Sequence, residues 1–478
     1  MTLADLFGAG DPAAVVVHAG DRRVTRRELD RMAGSLADAL AGLGAPAGSP
    51  VAVMLTGPEV VAALFATWRA GLVYVPVNPR LTDAEVGRVL AAVPVAVVVT
   101  SAADARRFHD GPVVVLDADG ARPVRDQPPA RPPARYDSDT ALVQLTSGTT
   151  GPPKPVRLRH SSVRDQLDRV LTTLRPRRSD ARPPAASMPN LIPLSLSLWA
   201  GIYNVCFALR AGAPIVLLER FDTRAFAELV ARFEVRSVVL PPAAMAMLAD
   251  DRSVTSLAPL RLVRSITAPL SPFLARRFRD RFGVDVLNSY GQTELGGEVI
   301  GWSAADLRAF GAAKLGAVGR PHPGVEARVV DGELQVRTGA GLGGYADGTG
   351  FEDRLDADGW FRTGDLARID DDGFVWIDGR VAEMINRGGL KVFPGEVEEV
   401  LRAEPGVRDV AVVGAPDERL GEVPVAFVVG DVDDGRLAAR CRAELAPYKV
   451  PARFVPIDAL PRNAVGKVVA RDLLAALP

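Results

Sequence analysis

Three features of the chain predict an α/β fold of layered sheets. Short β-branched runs alternate with longer amphipathic stretches through most of its length. These runs are continuously apolar, the pattern of parallel strands covered by helices on both faces. At about Gly332 the texture changes to short strands and tight turns, and after Arg380 to a compact mixture of helix and strand. At 478 residues the chain is also too long for a single core, because cores stop growing at about 250–300 residues. The expectation is a large N-terminal domain over residues 1–379, made of layered αβ sheets plus a β-barrel-like subdomain. A small α+β C-terminal domain over 380–478 follows.

AAVVVHAG (13–20) reads as strand and turn, and 25–43 as a helix. Thr25 is placed to cap that helix, and Glu28 three residues on completes a capping box. VAVML (51–55) is a buried strand followed by a helix over 60–70, and VAVVVT (95–100) and PVVVLD (112–117) are further strands. The alternation returns in APIVLLE (213–219), VRSVVLP (235–241) and LRLVRSI (260–266). Two stretches rich in Pro and Arg, 125–137 and 175–187, read as solvated connectors. Later, DGELQVRT, DADGWFRTGD and IDDDGFVWIDGR are short strands closed by turns. PGEVEEVLRAE (394–404) is a helix, VRDVAVVGA and EVPVAFVVG are strands, and a last helix lies near 470–476.

Charge and cysteine usage exclude several classes. Lys and Arg number 57 against 58 Asp and Glu, so no electrostatic footprint points to nucleic acid or an anionic membrane. Cys206 and Cys441 stand far apart without a histidine cluster; this excludes a disulfide framework or thiolate metal site and fits a reducing cytoplasm. The start, MTLADLFGAGDP, has no basic region followed by an apolar one, so no signal peptide is expected. The longest apolar segments, 93–100 and 191–209, are too short or too interrupted to span a bilayer. A cytoplasmic protein is expected.

The chemistry starts at QLTSGTTGPPKPV (144–156). A strand ending in Thr146, Ser147, Gly148, Thr149, Thr150 and Gly151 presents backbone N–H groups in a turn with nothing bulky in front. Such a concave set of amides binds anionic oxygens, and the hydroxyls add donors. Lys154 supplies a mobile positive charge for a phosphate. A flexible polar loop is the plainer alternative, but this loop comes directly off a buried strand with a lysine at short range. The spacing is Gly148-x-x-Gly151-x-x-Lys154 with prolines around the lysine, which is not a Walker A loop.

The stretch resembles the nucleotide-phosphate loop of the adenylate-forming superfamily of acyl-CoA synthetases, adenylation domains and luciferase-like ligases. Other motifs of that family follow in its order: NSYGQTE (288–294), GRP (319–321), WFRTGDLA (360–367), GRVAEMINRGGLKVFPGEVE (379–398) and LPRNAVGKV (460–468). The resemblance runs from about Thr25 to the end of the chain.

It implies that a carboxylate and ATP give an acyl-adenylate and pyrophosphate, after which a nucleophile displaces AMP. Glu294 and Thr149 are implied as catalytic residues sharing Mg²⁺, and Lys467 as the lysine that enters the site for adenylation only. Thr146, Ser147, Gly148, Thr150, Gly151 and Lys154 are implied to hold the phosphates. Thr267, Ala268 and Pro269, with Ser289, Tyr290, Gly291, Gln292 and Thr293, would surround the adenine and α-phosphate. Tyr290 would stack on or flank the base. Asp365 would accept from the ribose hydroxyls, and Arg380 would reach the ribose or phosphate at the domain joint. The family's small C-terminal domain is mobile and turns about a hinge, and Gly388 and Gly389 would then line a passage for a thiol arm. Taken alone, Asp365 is as readily a turn residue, the two glycines a tight β-turn, and Lys467 a solubilising group in an exposed loop.

Four departures from the family limit what carries over. The phosphate loop continues Lys154-Pro155-Val156 where the family has Lys-Gly-Val, the hinge position is Ala382 where it has Asp or Lys, and the adenine-side loop is Ser265-Ile266-Thr267-Ala268-Pro269 where it is glycine-rich. IPLSLSLWAG (192–201) lacks the histidine that borders the carboxylate in many acyl-CoA ligases, although Trp199 is available there either as a gate or as core. These leave adenylation intact and open the acceptor to CoA, a carrier-protein thiol or an amine. The segment 187–201 has no aspartate to hold an α-ammonium, which disfavours an α-amino acid. With 240–248 and 295–297 it describes a mostly apolar pocket, polar at Asn190 and Ser195 and walled by Trp199, Leu295 and Gly296. A small or aryl acid suits it, and the reading admits an inorganic oxyacid such as nitrite. A non-catalytic paralogue acting as a binding protein is the remaining class; intact Thr149, Glu294, Asp365 and Lys467 argue against it.

Overall fold

A computed structural model of the chain describes residues 2–8, 10–129, 131–146, 154–174, 188–311, 313–339, 342–348, 350–462 and 467–477. β1 (Val15–Ala19) and β2 (Arg22–Thr25) form a hairpin that runs into α1 (Arg26–Gly42). The Thr25 hydroxyl accepts from Glu28 N while the Glu28 carboxylate accepts from Thr25 N, the capping box predicted from the sequence.

The main sheet holds β3 (Pro50–Met54), β4 (Val73–Pro76), β5 (Val97–Thr100), β6 (Val113–Asp117), β7 (Gly120–Arg125), β8 (Thr140–Thr146) and β9 (Lys154–Arg159). Their order is β7-β6-β5-β3-β4-β8-β9, parallel throughout except for the antiparallel edges β7 and β9. β3, β4 and β5 are buried along their whole lengths, as their unbroken apolar character requires. α2 (Pro58–Arg69) follows β3 and is buried on nearly every side, and its Trp68 Nε1–H donates to Ala141 O in β8 at 2.8 Å. α3 (Asp83–Ala92) begins on a second capping box, Thr82 with Glu85.

The chain then crosses through α4 (His160–Leu174), β10 (Asn190–Ile192), α5 (Trp199–Ala211) and β11 (Ile215–Leu217); β10 and β11 extend the β1–β2 hairpin into a four-stranded sheet. α6 (Thr223–Arg232), β12 (Ser237–Leu240), α7 (Pro242–Asp250), β13 (Leu262–Ser265), α8 (Pro272–Phe282) and β14 (Asp285–Asn288) build a parallel three-stranded sheet. The barrel-like subdomain expected from the sequence takes the form of two antiparallel sheets. One contains β15 (Tyr290–Gln292), β16 (Gly297–Gly301) and, after α9 (Ala304–Phe310), β17 (Arg320–Pro321). The other contains β18 (Val325–Val330), β19 (Glu333–Thr338), β20 (Phe361–Ile369) and β21 (Val375–Arg380). A bridge from Gly319 to Val375 ties them together.

Among the described residues, the strands beyond Arg380 pair only with one another. β22 (Ile385–Arg387), β23 (Leu390–Val392), β24 (Val407–Asp417), β25 (Gly421–Gly430) and β26 (Arg453–Pro456) form one sheet. α10 (Pro394–Arg402), α11 (Asp434–Glu444) and α12 (Ala470–Ala475) cover it, with separate apolar clusters that draw on no residue before Ile385. The connector 125–137, read as a solvated loop, is pinned by Ala134 N to Pro94 O and Tyr136 N to Gly48 O. The connector 175–187 lies outside the described residues. Among the described residues no helix is long and apolar enough to cross a membrane.

His160, at the start of α4, is a core residue. Its Nδ1 accepts from Leu3 N at 3.1 Å and its ring meets Trp68 edge-on at 5.7 Å. Burial holds its imidazole down to about 4 from the ordinary 6.5. A depressed folded-state value stabilises the neutral form, so this contribution is complete above about pH 6.5 and fades as pH falls towards 4. His160→Asn, which keeps an acceptor for Leu3 N, is expected to flatten the pH dependence of the urea unfolding midpoint across that window. An unchanged slope would assign the acid sensitivity to other groups.

Candidate active site

β8 and β9 pair as far as Thr146 opposite Lys154, so the predicted phosphate loop is the connection of an antiparallel hairpin. Ser147, Gly148, Thr149, Thr150 and Gly151 lie outside the described residues. The loop's two flanks are fixed: the Thr146 hydroxyl donates to Lys154 O at 3.2 Å. Lys154 is exposed, and its Nζ stands 4.8 Å above the Tyr345 ring. The Tyr345 hydroxyl faces Glu294 Oε1 at 3.4 Å and accepts from Arg354 Nη1 at 3.1 Å; that guanidinium is 3.9 Å from the same carboxylate oxygen. Sequence reasoning missed Tyr345 and Arg354, which no motif marks. Through Tyr345, Lys154 lies over the ring face and Glu294 near the hydroxyl of the same side chain.

Glu294 is thus a hard oxygen donor at the edge of a cationic patch. Among the described residues there is no group of three or more His, Cys, Asp or Glu that could hold a metal ion. This donor set fits Mg²⁺, which is commonly held by one or two carboxylates and completed by waters and substrate phosphates.

Asp365 sits in β20 beside Gly364, whose φ of +72° lets the chain turn there. The residue is buried, 4% exposed. Oδ2 accepts from Tyr290 Oη at 2.6 Å and Gln292 Nε2 at 2.5 Å, and Oδ1 lies 3.0 Å from Arg380 Nε. Tyr290, expected to stack on or flank a base, therefore also has its hydroxyl committed to Asp365. Burial, then the Asp365 charge, pushes that phenol well above its ordinary value, so it remains a neutral donor. Gly291 is required between Tyr290 and Gln292 because a Cβ there would lie 1.9 Å from Gly297 O. Thr293 and Glu294 follow in a single 3-10 turn, Thr293–Leu295.

Lys467 is half-buried; residues 463–466 of the loop before it lie outside the described residues. Its ammonium feels Arg380, Glu383, Asp365 and Glu294, which lie 84–173 residues upstream; burial first and Arg380 second hold its pKa below the ordinary 10.5, against the pull of the three carboxylates. The structure therefore brings Lys467, Arg380, Asp365, Tyr290, Gln292 and Glu294 into one charge cluster. The hinge position Ala382 lies in the short turn Val381–Glu383 just behind it.

The adenine-side loop leaves the end of β13, where Ser289 N donates to Ser265 O at 3.0 Å. Thr267 takes φ +73°, the left-handed region, which a β-branched residue rarely enters. This is where a glycine-rich loop would meet no strain. Thr267 and Pro269 are exposed and Ala268 half-buried.

Of the residues predicted for the acid pocket, Trp199, Leu295 and Gly296 come together: Trp199 is buried and its Nε1–H donates to Gly296 O at 2.9 Å. Asn190 is drawn elsewhere, donating to Asn204 O in α5 at 3.0 Å, and Ser195 is hydrogen-bonded to Ser197 Oγ at 2.7 Å. The mostly apolar wall expected from the sequence is interrupted by a charged cluster. Glu298 Oε1 accepts from Arg264 Nη2 at 2.5 Å and from His322 Nε2 at 2.9 Å. Burial raises the Glu298 pKa, but Arg264 and then His322 and Ser289 outweigh it and leave the group below the ordinary carboxylate value. Gly301 makes the convergence possible, since a Cβ there would sit 2.3 Å from Glu298 Oε1. The cluster's sequence signal was weak: Arg264, Glu298 and His322 merely adjoin recognised motifs.

Gly388 and Gly389 link β22 to β23 as a two-residue turn with φ of +60° and +88°. Positive φ at both positions is what a twisted hairpin needs, so the tight-turn account explains both glycines locally.

Comparison with known proteins matches residues 7–344 to the model of the AMP-binding enzyme family and residues 396–467 to that of the AMP-binding enzyme C-terminal domain. A long-chain-fatty-acid–CoA ligase, FadD13 of Mycobacterium tuberculosis, is 31% identical over 95% of this chain and 93% of its own. The ATP-bound crystal structure of MatB from Rhodopseudomonas palustris superposes with a TM-score of 0.86 at 27% identity, over 99% of both chains. The amide bond synthetase McbA from Marinactinospora thermotolerans superposes with a TM-score of 0.85 at 28% identity, again over 99% of both.

Proposed function

Because the chain belongs to the AMP-binding enzymes of the adenylate-forming superfamily, we propose that it is an ATP-dependent ligase for a small or aryl carboxylic acid that delivers the activated acyl group to a thiol of CoA or a carrier protein. One observation carries the assignment of roles: Lys467 lies within charge range of both Asp365 and Glu294. In the first half-reaction a carboxylate oxygen of the acid attacks the α-phosphorus and the bond to pyrophosphate breaks. Lys154 and the amides of 147–151 would hold the phosphates, and Glu294 with Thr149 would hold Mg²⁺, whose charge would offset that of the leaving pyrophosphate. Asp365 accepts from the ribose hydroxyls, while Thr267, Ala268, Pro269, Ser289, Tyr290 and Gly291 border the nucleoside. Lys467 places its ammonium where negative charge gathers between carboxylate and phosphate, a preorganised stabilisation of the transition state.

In the second half-reaction the nucleophile attacks the acyl carbonyl and the bond to AMP breaks. Residues 380–478 would turn about Ala382 between the two halves, replacing Lys467 by the Gly388-Gly389 turn at the passage for the thiol arm. A cytoplasmic site of action fits the two cysteines, both buried and free. An amine acceptor is the second reading, supported by the missing histidine in 192–201, by Ala382 and by the likeness to an amide bond synthetase.

Pyrophosphate release from a panel of acids, nitrite included, tests both readings when CoA, a carrier protein or amines are added in turn. Thiol-stimulated turnover is expected. Stimulation by amines alone would transfer the assignment to amide formation, and no release with any acid would leave a binding protein.

A further inference from the structure

The charged cluster behind Gly296 carries polar atoms that the fold leaves unanswered. Gln166 of α4 is 7% exposed; its Nε2 donates to Glu298 O at 2.8 Å, and its Oε1 has no hydrogen-bond partner. That oxygen stands 3.3 Å and 3.1 Å from where Cβ atoms of Gly296 and Gly297 would be, so it lies against bare backbone. Gln166 lines a narrow pocket whose walls also include Glu294, Leu295, Gly296, Glu298 and His322. Beside it, the buried Tyr203 hydroxyl also lacks a partner, within charge range of Glu298 and Arg264. Its ring packs edge-on against Trp199 at 5.8 Å. Buried polar groups are ordinarily satisfied, so an orphan in a pocket calls for an occupant that completes it, a water or the polar end of a ligand.

Resting on the ligase reading above, we propose that the acid carries a hydroxyl or uncharged amino group remote from its carboxylate, and that Gln166, Tyr203 and Glu298 select for it. Gln166 Oε1 can only accept, so the occupant must donate. An ionised second carboxylate is disfavoured, because it has no hydrogen to donate to Gln166 Oε1 and would face the Glu298 carboxylate. An ammonium is disfavoured because Arg264 and His322 already flank Glu298 and two further cations, Arg159 and Arg169, line the same pocket. A neutral donor meets both conditions. An alkyl or unsubstituted aryl end would leave Gln166 Oε1 and the Tyr203 hydroxyl dry and unpaired.

Steady-state pyrophosphate release measures this with shape-matched acids: benzoate and its 3- and 4-methyl, hydroxy and amino derivatives, 4-hydroxybutyrate against pentanoate, and a dicarboxylate in each series. The best hydroxy or amino acid should exceed its methyl counterpart in kcat/KM by at least about 100-fold, since a site built to pair a hydroxyl rejects the analogue lacking it. Gln166→Met should collapse that ratio to within about tenfold by lowering only the donor-bearing acid's kcat/KM. Should Gln166→Met fail to fold, Tyr203→Phe removes one hydroxyl at constant ring shape and should lower the same ratio. Methyl and hydroxy acids turning over equally in the wild type, a preferred dicarboxylate, or a ratio untouched in both folded variants would each overturn the selection. Pyrophosphate release without discrimination rejects this inference alone, whereas no release with any acid rejects the ligase reading beneath it.

Discussion

Lys467→Ala is expected to cut pyrophosphate release about a thousandfold, while a chemically supplied acyl-adenylate is still consumed at close to the wild-type rate. The size follows from what loss of one preorganised charge-stabilising donor costs in a water-poor site, about 100- to 1000-fold. The asymmetry follows from geometry. Lys467 reaches the cluster of Asp365 and Glu294 from the last stretch of the chain, so its ammonium serves only the arrangement in which that stretch is docked. Burial and Arg380 hold its pKa below the ordinary 10.5. Adenylation needs the protonated form, so the wild-type rate should fall as pH rises through this lowered value, earlier on the alkaline side than an exposed lysine would allow. Lys467→Arg should move that limb to higher pH, and the alanine variant should lack it. Equal losses in both half-reactions would contradict the role, and an unshifted alkaline limb in the arginine variant would assign the titration to another group.

Much of the scaffold was legible because its signals are local and repeated. The capping box at Thr25 and Glu28 marks the start of α1 to the residue, and the apolar runs 51–54 of β3 and 97–99 of β5 announce strands buried on both faces. The turn at Gly388-Gly389 was legible as a turn because glycine is what positive φ favours. Less of the site could be read. Tyr345 and Arg354 meet Glu294 only through the folding of the segment between β19 and β20, and no spacing rule encodes that approach. The Arg264–Glu298–His322 cluster joins three elements through a cradle at Gly301, so each member alone looks like an ordinary strand or loop residue. Asn190 shows the reverse case: a polar residue in the right segment that the fold spends on a helix carbonyl. Sequence order carries motif identity well, whereas the direction in which a side chain points is decided by packing partners far along the chain.

Asp365→Asn should raise the KM for ATP strongly, lower kcat/KM for ATP by about 100-fold or more, and weaken the fold at the same time. The two oxygens of Asp365 together meet Tyr290, Gln292 and Arg380. A carboxylate offers about four lone-pair positions, so capacity remains for a ribose hydroxyl while the three existing contacts hold the group in place. An amide in its stead presents an N–H₂ to at least one of those donors and cannot neutralise Arg380. Removing one partner of a buried ion pair costs about 3–5 kcal/mol, because the other charge is left uncompensated; Arg380 is only half-buried, which puts the expected loss at the low end or below. Nucleotide affinity separates the two effects. Under conditions where circular dichroism shows the variant folded, calorimetric titration with AMP should still show the weakened binding, and 2′-deoxy-AMP and 3′-deoxy-AMP should bind the wild type more weakly than AMP but bind the variant about as well as AMP does. Full nucleotide affinity in a folded Asp365→Asn protein would make the aspartate a structural clamp for Tyr290 and Arg380, and would move ribose recognition elsewhere in the site.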